Sequence, residues 1–179
     1  MKYFIANWKA NKTFDEVLTW TDQFISLFKD NQPVIICPPH PFIIPLKERL
    51  KVFKNVFIGA QDLSRFEQGT YTGEVTAKNL SGLVSYVILG HSERRGHFFE
   101  SDDILLDKFQ LAQKYQIKTI YCIANVNQIF PQSAEFLCFE PVEAISTGNG
   151  KGENEPLTKI LTVKSQLKLG SGTKFIYGG

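Results

Sequence analysis

No stretch of these 179 residues approaches the ~20 consecutive apolar positions of a membrane-spanning helix, so a membrane partner is not expected. The opening Met1-Lys2-Tyr3-Phe4-Ile5-Ala6-Asn7 reaches polar side chains before an apolar signal core can develop, which predicts a cytoplasmic protein. An excess of one charge is also lacking. Twenty Lys+Arg stand against 18 Asp+Glu, leaving +2 spread along the chain, so no nucleic-acid partner is expected. Cysteine is scarce: Cys37, Cys122 and Cys138 lie far apart in apolar runs, which suits buried thiols in a reducing compartment better than disulfides or a metal knuckle. Of the three histidines, His40 and His97 have no Cys, Asp or Glu at ligand spacing, so no metal site is expected. Gly148-x-Gly150-x-Gly152 fits neither a dinucleotide fingerprint nor a phosphate loop, because its spacing and following residues differ.

What is present is enough apolar material for one core. With 43% hydrophobic positions, the chain is expected to form a single domain over residues 1–179. Seven β-branched or aromatic runs recur, at Tyr3–Ala6, Val34–Cys37, Val56–Ala60, Tyr86–Leu89, Thr119–Ile123, Phe136–Phe139 and Lys174–Tyr177. Amphipathic stretches separate most of them, at Phe14–Phe28, Phe42–Leu50, Ala77–Leu83, Ile104–Tyr115 and Pro156–Leu169. Such alternation implies parallel strands joined by right-handed crossovers, either a closed barrel or an open doubly wound sheet. Two places break the pattern. Ala124–Ala134 is too short for a crossover helix, and the final strand-like run ends at Gly178-Gly179, where a working loop is expected to follow.

Three strand ends carry residues capable of chemistry. Asn7 and Lys9 are two apart, so an extended backbone would turn both to one side, where the ammonium could meet an anion; a solvated surface lysine is the alternative. After the fourth strand comes Gly90-His91-Ser92-Glu93, with Ser92 suited to cap a short helix. The positive end of that helix disfavours imidazolium, so His91 could polarise a carbonyl as a neutral donor, or it could be structural. Glu140 ends the apolar run Phe136–Phe139. It is either a base with raised proton affinity or an outward carboxylate paired with a lysine.

Taken together, these segments resemble the triosephosphate isomerase family over residues 1–179. The motifs are Ala6-Asn7-Trp8-Lys9-Ala10-Asn11, Gly69-Thr70-Tyr71-Thr72-Gly73-Glu74-Val75, Ile88–Arg95, Phe139–Gly148 and Ile176-Tyr177-Gly178-Gly179. The resemblance implies a (β/α)8-type TIM barrel, here incomplete, with about seven parallel strands and reduced helices. It implies an enzyme that interconverts dihydroxyacetone phosphate and D-glyceraldehyde 3-phosphate in glycolysis and gluconeogenesis through an enediolate, without a cofactor. By the same resemblance Glu140 is the base, His91 the electrophile, Lys9 the holder of the anion and Asn7 the residue that orients Lys9 and the substrate. Ser146, Gly178 and Gly179 would also bind substrate, and Pro141, Val142, Glu143, Ala144, Ile145, Ser146, Thr147 and Gly148 would form a mobile lid. A homo-oligomer is implied through the loop Gln68–Val75, with Thr72, Gly73 and Glu74 at its contact. The chain departs from the family in lacking an eighth strand, in Glu143 and Ser146 within the lid, and in Ala124-Asn125 after the fifth strand. The alternative function is a non-catalytic binding or assembly module that keeps the motifs as inheritance.

Overall fold

The computed structural model describes residues 2–141 and 157–178. Seven strands appear in it: β1 (Phe4–Asn7), β2 (Val34–Cys37), β3 (Val56–Ala60), β4 (Tyr86–Leu89), β5 (Lys118–Ile123), β6 (Phe136–Phe139) and β7 (Lys174–Tyr177). All adjacent pairs are parallel, and the strands lie side by side in chain order. An incomplete TIM barrel is therefore the architecture, as the family resemblance implied; the alternation of runs alone also fits an open doubly wound sheet.

Side chains alternate across this sheet, which is what fixes the position of the site. Ile5, Ile35, Cys37, Tyr86, Ile88, Ile120, Cys122, Phe136, Cys138 and Ile176 pack together on the inner face. Their neighbours Ile36, Val87, Leu89, Tyr121, Ile123, Leu137 and Phe139 pack outward against the helices. The sheet curls until its ends approach: the Tyr3 ring, just before β1, meets Phe136 of β6 edge-on at 5.0 Å, and Lys174 of β7 lies over Tyr3 at 5.6 Å. Among the described strand pairs β1 and β7 share no ladder, so side chains close the curl there.

The helices are α1 (Phe14–Leu27), α2 (Ile43–Leu50), α3 (Ala77–Leu80), α4 (Ser92–His97), α5 (Asp102–Lys114) and α6 (Leu157–Gln166). The α1 start is set by a capping box, in which Glu16 N–H donates to Thr13 Oγ1 and Thr13 N–H donates to Glu16 at 2.6 Å. Trp8, one residue past β1, is buried outward and meets Trp20 of α1 edge-on at 4.8 Å. That anchor holds the end of β1 and leaves Asn7 and Lys9 to face the other way. Between β5 and β6 residues 124–133 form only turns, which agrees with the missing crossover helix. α3 is shorter than its amphipathic run implied. No helix among the described residues is long and apolar enough to cross a membrane.

Candidate active site

A cavity of about 490 Å³ opens at the C-terminal ends of the strands, and Asn7, Lys9, His91, Glu140 and Gly178 all line it. Residues from four parts of the sequence thus converge because parallel strands deliver their ends to one rim. The route differs in detail from the sequence expectation at β1. Lys9 is not on extended backbone: its φ of +53° puts it in the left-handed region, roughly 1–2 kcal/mol unfavourable for a side-chain-bearing residue. Three hydrogen bonds hold the turn. Lys9 N–H donates to Asn7 Oδ1 at 3.0 Å, and Gln61 Nε2 donates to Lys9 O and Cys37 O, both at 2.9 Å.

His91 rather than Ser92 caps α4, which corrects the sequence reading. Glu93 N–H donates to His91 Nδ1 at 3.2 Å, while Ser92 Oγ is buried and has no hydrogen-bond partner among the described residues. The imidazole reaches further than the serine hydroxyl because Gly90, at φ +74°, turns the chain sharply as it leaves β4. A Cβ at Gly90 would stand 3.0 Å from Cys122 O, so only glycine fits this approach. With Nδ1 accepting a backbone N–H, the neutral ring carries its proton on Nε2 and presents a donor to the cavity.

Glu140 is 9% exposed and follows β6 directly, held to β5 by its N–H donating to Ile123 O at 2.8 Å. Its Oε1 lies 3.6 Å from His91 Nε2 and accepts from the thiols of Cys122 at 3.4 Å and Cys138 at 3.8 Å. Ser92 N–H donates to Oε2 at 3.4 Å. The outward, lysine-paired alternative for Glu140 is thereby set aside. Gly178 makes room for this carboxyl group: a Cβ there would stand 3.0 Å from Glu140 Cγ and 2.8 Å from Cys138 Sγ. The contact with Cys138, then burial, then Glu140 push the Cys122 thiol well above its ordinary pKa, so it remains an uncharged donor.

Lys9 Nζ pairs with Glu93 Oε1 at 2.8 Å, and Glu93 Oε2 lies 3.6 Å from His91 Nδ1. Both members of the Lys9–Glu93 pair are more than a third exposed, so the ammonium can exchange Glu93 for an incoming anion at small cost. Sequence reasoning missed Glu93 and Gln61 as supports, and it missed Cys122 and Cys138 as neighbours of Glu140. Cys122 and Cys138 are register partners across β5 and β6, a relation visible only once strand pairing is known.

Pro141 is buried immediately after Glu140, whereas the other lid residues, Val142–Gly148, and Gly179 lie outside the described residues. Thr72, Gly73 and Glu74 are exposed and line a second cleft with Asp62, Arg94 and Lys108, separate from the site. All three cysteines are free and buried. His40 Nε2 is 3.1 Å from Asp62 O and His97 is exposed, so neither joins the cavity. The expectation of no metal ligands at sequence spacing meets a different result in three dimensions: donor atoms of Cys122, Cys138 and Glu140 all lie within 4.8 Å of one another.

The family description of triosephosphate isomerase matches residues 2–179. The chain belongs to the triosephosphate isomerase family. A triosephosphate isomerase of Thermodesulfovibrio yellowstonii is 32% identical, with 99% of this chain and 84% of the relative aligned. The enzyme of the same name from Mesomycoplasma hyopneumoniae is 30% identical over the same shares. That of Alkaliphilus oremlandii is 34% identical over 91% of this chain and 75% of its own length. Membership makes the chain an isomerase, and the cavity at the strand ends is where its family places chemistry.

Proposed function

We propose that this isomerase interconverts dihydroxyacetone phosphate and D-glyceraldehyde 3-phosphate. The observation that carries the reading is the pairing of Glu140 with the Nε2 face of His91 inside one cavity that Lys9 also lines. Glu140 takes the proton from C1 of the ketose as the C1–C2 double bond forms and returns it to C2, while His91 Nε2 donates its proton to the C2 oxygen and recovers one from the C1 hydroxyl, stabilising charge on both oxygens. Lys9 leaves Glu93 for the anionic substrate, and Asn7 keeps the Lys9 turn in place. Nothing but protons moves, so these side chains account for the chemistry of the step. Closure of a lid over Pro141–Gly148 would exclude water and strengthen each contact.

A module retained only for assembly has no need of a carboxylate, an imidazole and an ammonium in one cavity, so that reading is not favoured. Assembly itself remains part of the proposal: exposed Thr72, Gly73 and Glu74 on the loop Gln68–Val75 would contact a second copy, in a soluble cytoplasmic homo-oligomer. Sedimentation at micromolar concentration tests this, and a species with the mass of one chain would contradict it.

The catalytic reading is tested by a coupled assay with each triose phosphate. Glu140→Gln keeps the shape of the side chain but cannot accept the proton, and is expected to lower kcat at least about a hundredfold. Equal rates in the two proteins would overturn the proposal.

A further inference from the structure

We propose that Cys122, Cys138 and Glu140 form a three-ligand site for a thiophilic divalent cation of the Zn²⁺ or Cd²⁺ class, which competes with proton transfer for Glu140. The fit is geometric. A tetrahedral site with metal–ligand bonds of about 2.0–2.3 Å has edges of about 3.3–3.8 Å between its donor atoms. Glu140 Oε1 lies 3.4 Å from Cys122 Sγ and 3.8 Å from Cys138 Sγ, so both of these edges are close to the required length without moving a strand. The third edge, between the two sulfurs, is at most 4.8 Å. Two sulfurs and one carboxylate select a soft or borderline cation over Mg²⁺ or Ca²⁺, which prefer oxygen alone.

Their positions are rigid. Cys122 and Cys138 are register partners on paired strands, each 5% exposed or less, and Glu140 follows two residues after Cys138. Gly178 keeps the space free, since a Cβ there would stand 2.8 Å from Cys138 Sγ and 3.2 Å from Glu140 Oε1. All three ligands line the open cavity, which supplies an entry path.

His91 Nε2 also lies 3.6 Å from Glu140 Oε1, at the same edge length. It does not complete the set, because Glu93 N–H occupies Nδ1 and leaves the Nε2 proton in place, with no lone pair for a metal. The site therefore has three protein donors and a fourth position for solvent. On binding, each thiol gives its proton to solvent as its sulfur–metal bond forms, and Glu140 is no longer available as a base.

The test is a titration of the wild-type protein with CdCl2 in anaerobic, chelator-free buffer, reading thiolate-to-metal charge-transfer absorption in the ultraviolet. The expected signal rises to one equivalent with the intensity of two thiolates. Cys37→Ala should titrate like the wild type, because Cys37 lies outside the cluster. Cys138→Ala should give about half the intensity and bind at least about tenfold more weakly. No band saturating at one equivalent in the wild type, or an unchanged titration in Cys138→Ala, overturns the site. The wild-type titration decides the matter even if Cys138→Ala does not fold. Its readout does not depend on turnover, so it stands or falls separately from the isomerase reading. Where turnover is present, Zn²⁺ should suppress it in the wild type and a chelator should restore it, and the concentration for half-inhibition should rise at least about tenfold in Cys138→Ala.

Discussion

Oε1 of Glu140, past the end of β6, stands 3.6 Å from Nε2 of His91, past the end of β4, with Cys122 of the intervening β5 only 3.4 Å from the same oxygen. Three consecutive strands thus meet at one carboxylate oxygen. The imidazole is turned toward it by the Glu93 N–H on its far nitrogen, so the backbone of α4 decides which ring nitrogen faces the cavity.

Gly178 is expected to be sensitive for a steric reason, since its φ lies outside the left-handed region. In Gly178→Ala the new Cβ would fall 2.8 Å from Cys138 Sγ and 3.0 Å from Glu140 Cγ, so the carboxyl group must swing away. Overpacking of this kind costs about 1–3 kcal/mol, and kcat should fall more than KM rises. Adding Cys138→Ala should restore part of both stability and kcat. Unchanged kinetics in Gly178→Ala would show that the carboxyl position does not matter.

Lys108 is 4% exposed and bonds both oxygens of Asp62 at 2.8 Å and Glu100 Oε1 at 2.5 Å, while Arg94 pairs with the same two carboxylates. This network ties the chain after β3 to α4, the helix that His91 caps. Lys108→Met leaves two buried carboxylates short of a cation and should lower unfolding free energy by about 3–5 kcal/mol in urea titrations. The double variant with Asp62→Asn should lose less than the sum of the single changes, and strict additivity would contradict the coupling.

His40 gives the fold a defined pH dependence. Burial holds its pKa below the ordinary 6.5, opposed by its hydrogen bond to Asp62 O and aided by the Arg94 charge. A folded pKa below the unfolded one means that stability from the neutral ring is complete above about pH 6.5 and is lost as pH falls through the depressed value. The urea midpoint should therefore drop between pH 7.5 and 5, and His40→Gln should narrow that drop. An identical drop in both proteins would assign the pH dependence elsewhere.

Much of this arrangement was legible in the sequence because strands buried on both faces read as continuous apolar runs. Val34–Cys37, Val56–Ala60, Tyr86–Leu89 and Phe136–Phe139 match their strands to the residue. Asn7, Lys9, His91, Glu140 and Gly178, which line one cavity, were legible as candidates because each closes such a run or stands within two residues of its end. The cap of α4 was misread because serine is the common capping residue, while the turn at Gly90 carries the His91 ring to the helix start instead. The left-handed Lys9 turn carried no glycine to announce it, and depends on Gln61, 52 positions away in sequence. Cys122 and Cys138 read as core thiols, which they are, but their approach to Glu140 depends on strand register and has no local signature.

The most direct test of Glu140 as the proton carrier is exchange of the C1 hydrogen of dihydroxyacetone phosphate in deuterated water, followed by nuclear magnetic resonance. The wild type should incorporate deuterium with stereospecific loss of one C1 hydrogen, and Glu140→Gln should slow that incorporation at least about a hundredfold while retaining its fold. Incorporation at the same rate in both proteins would contradict the account.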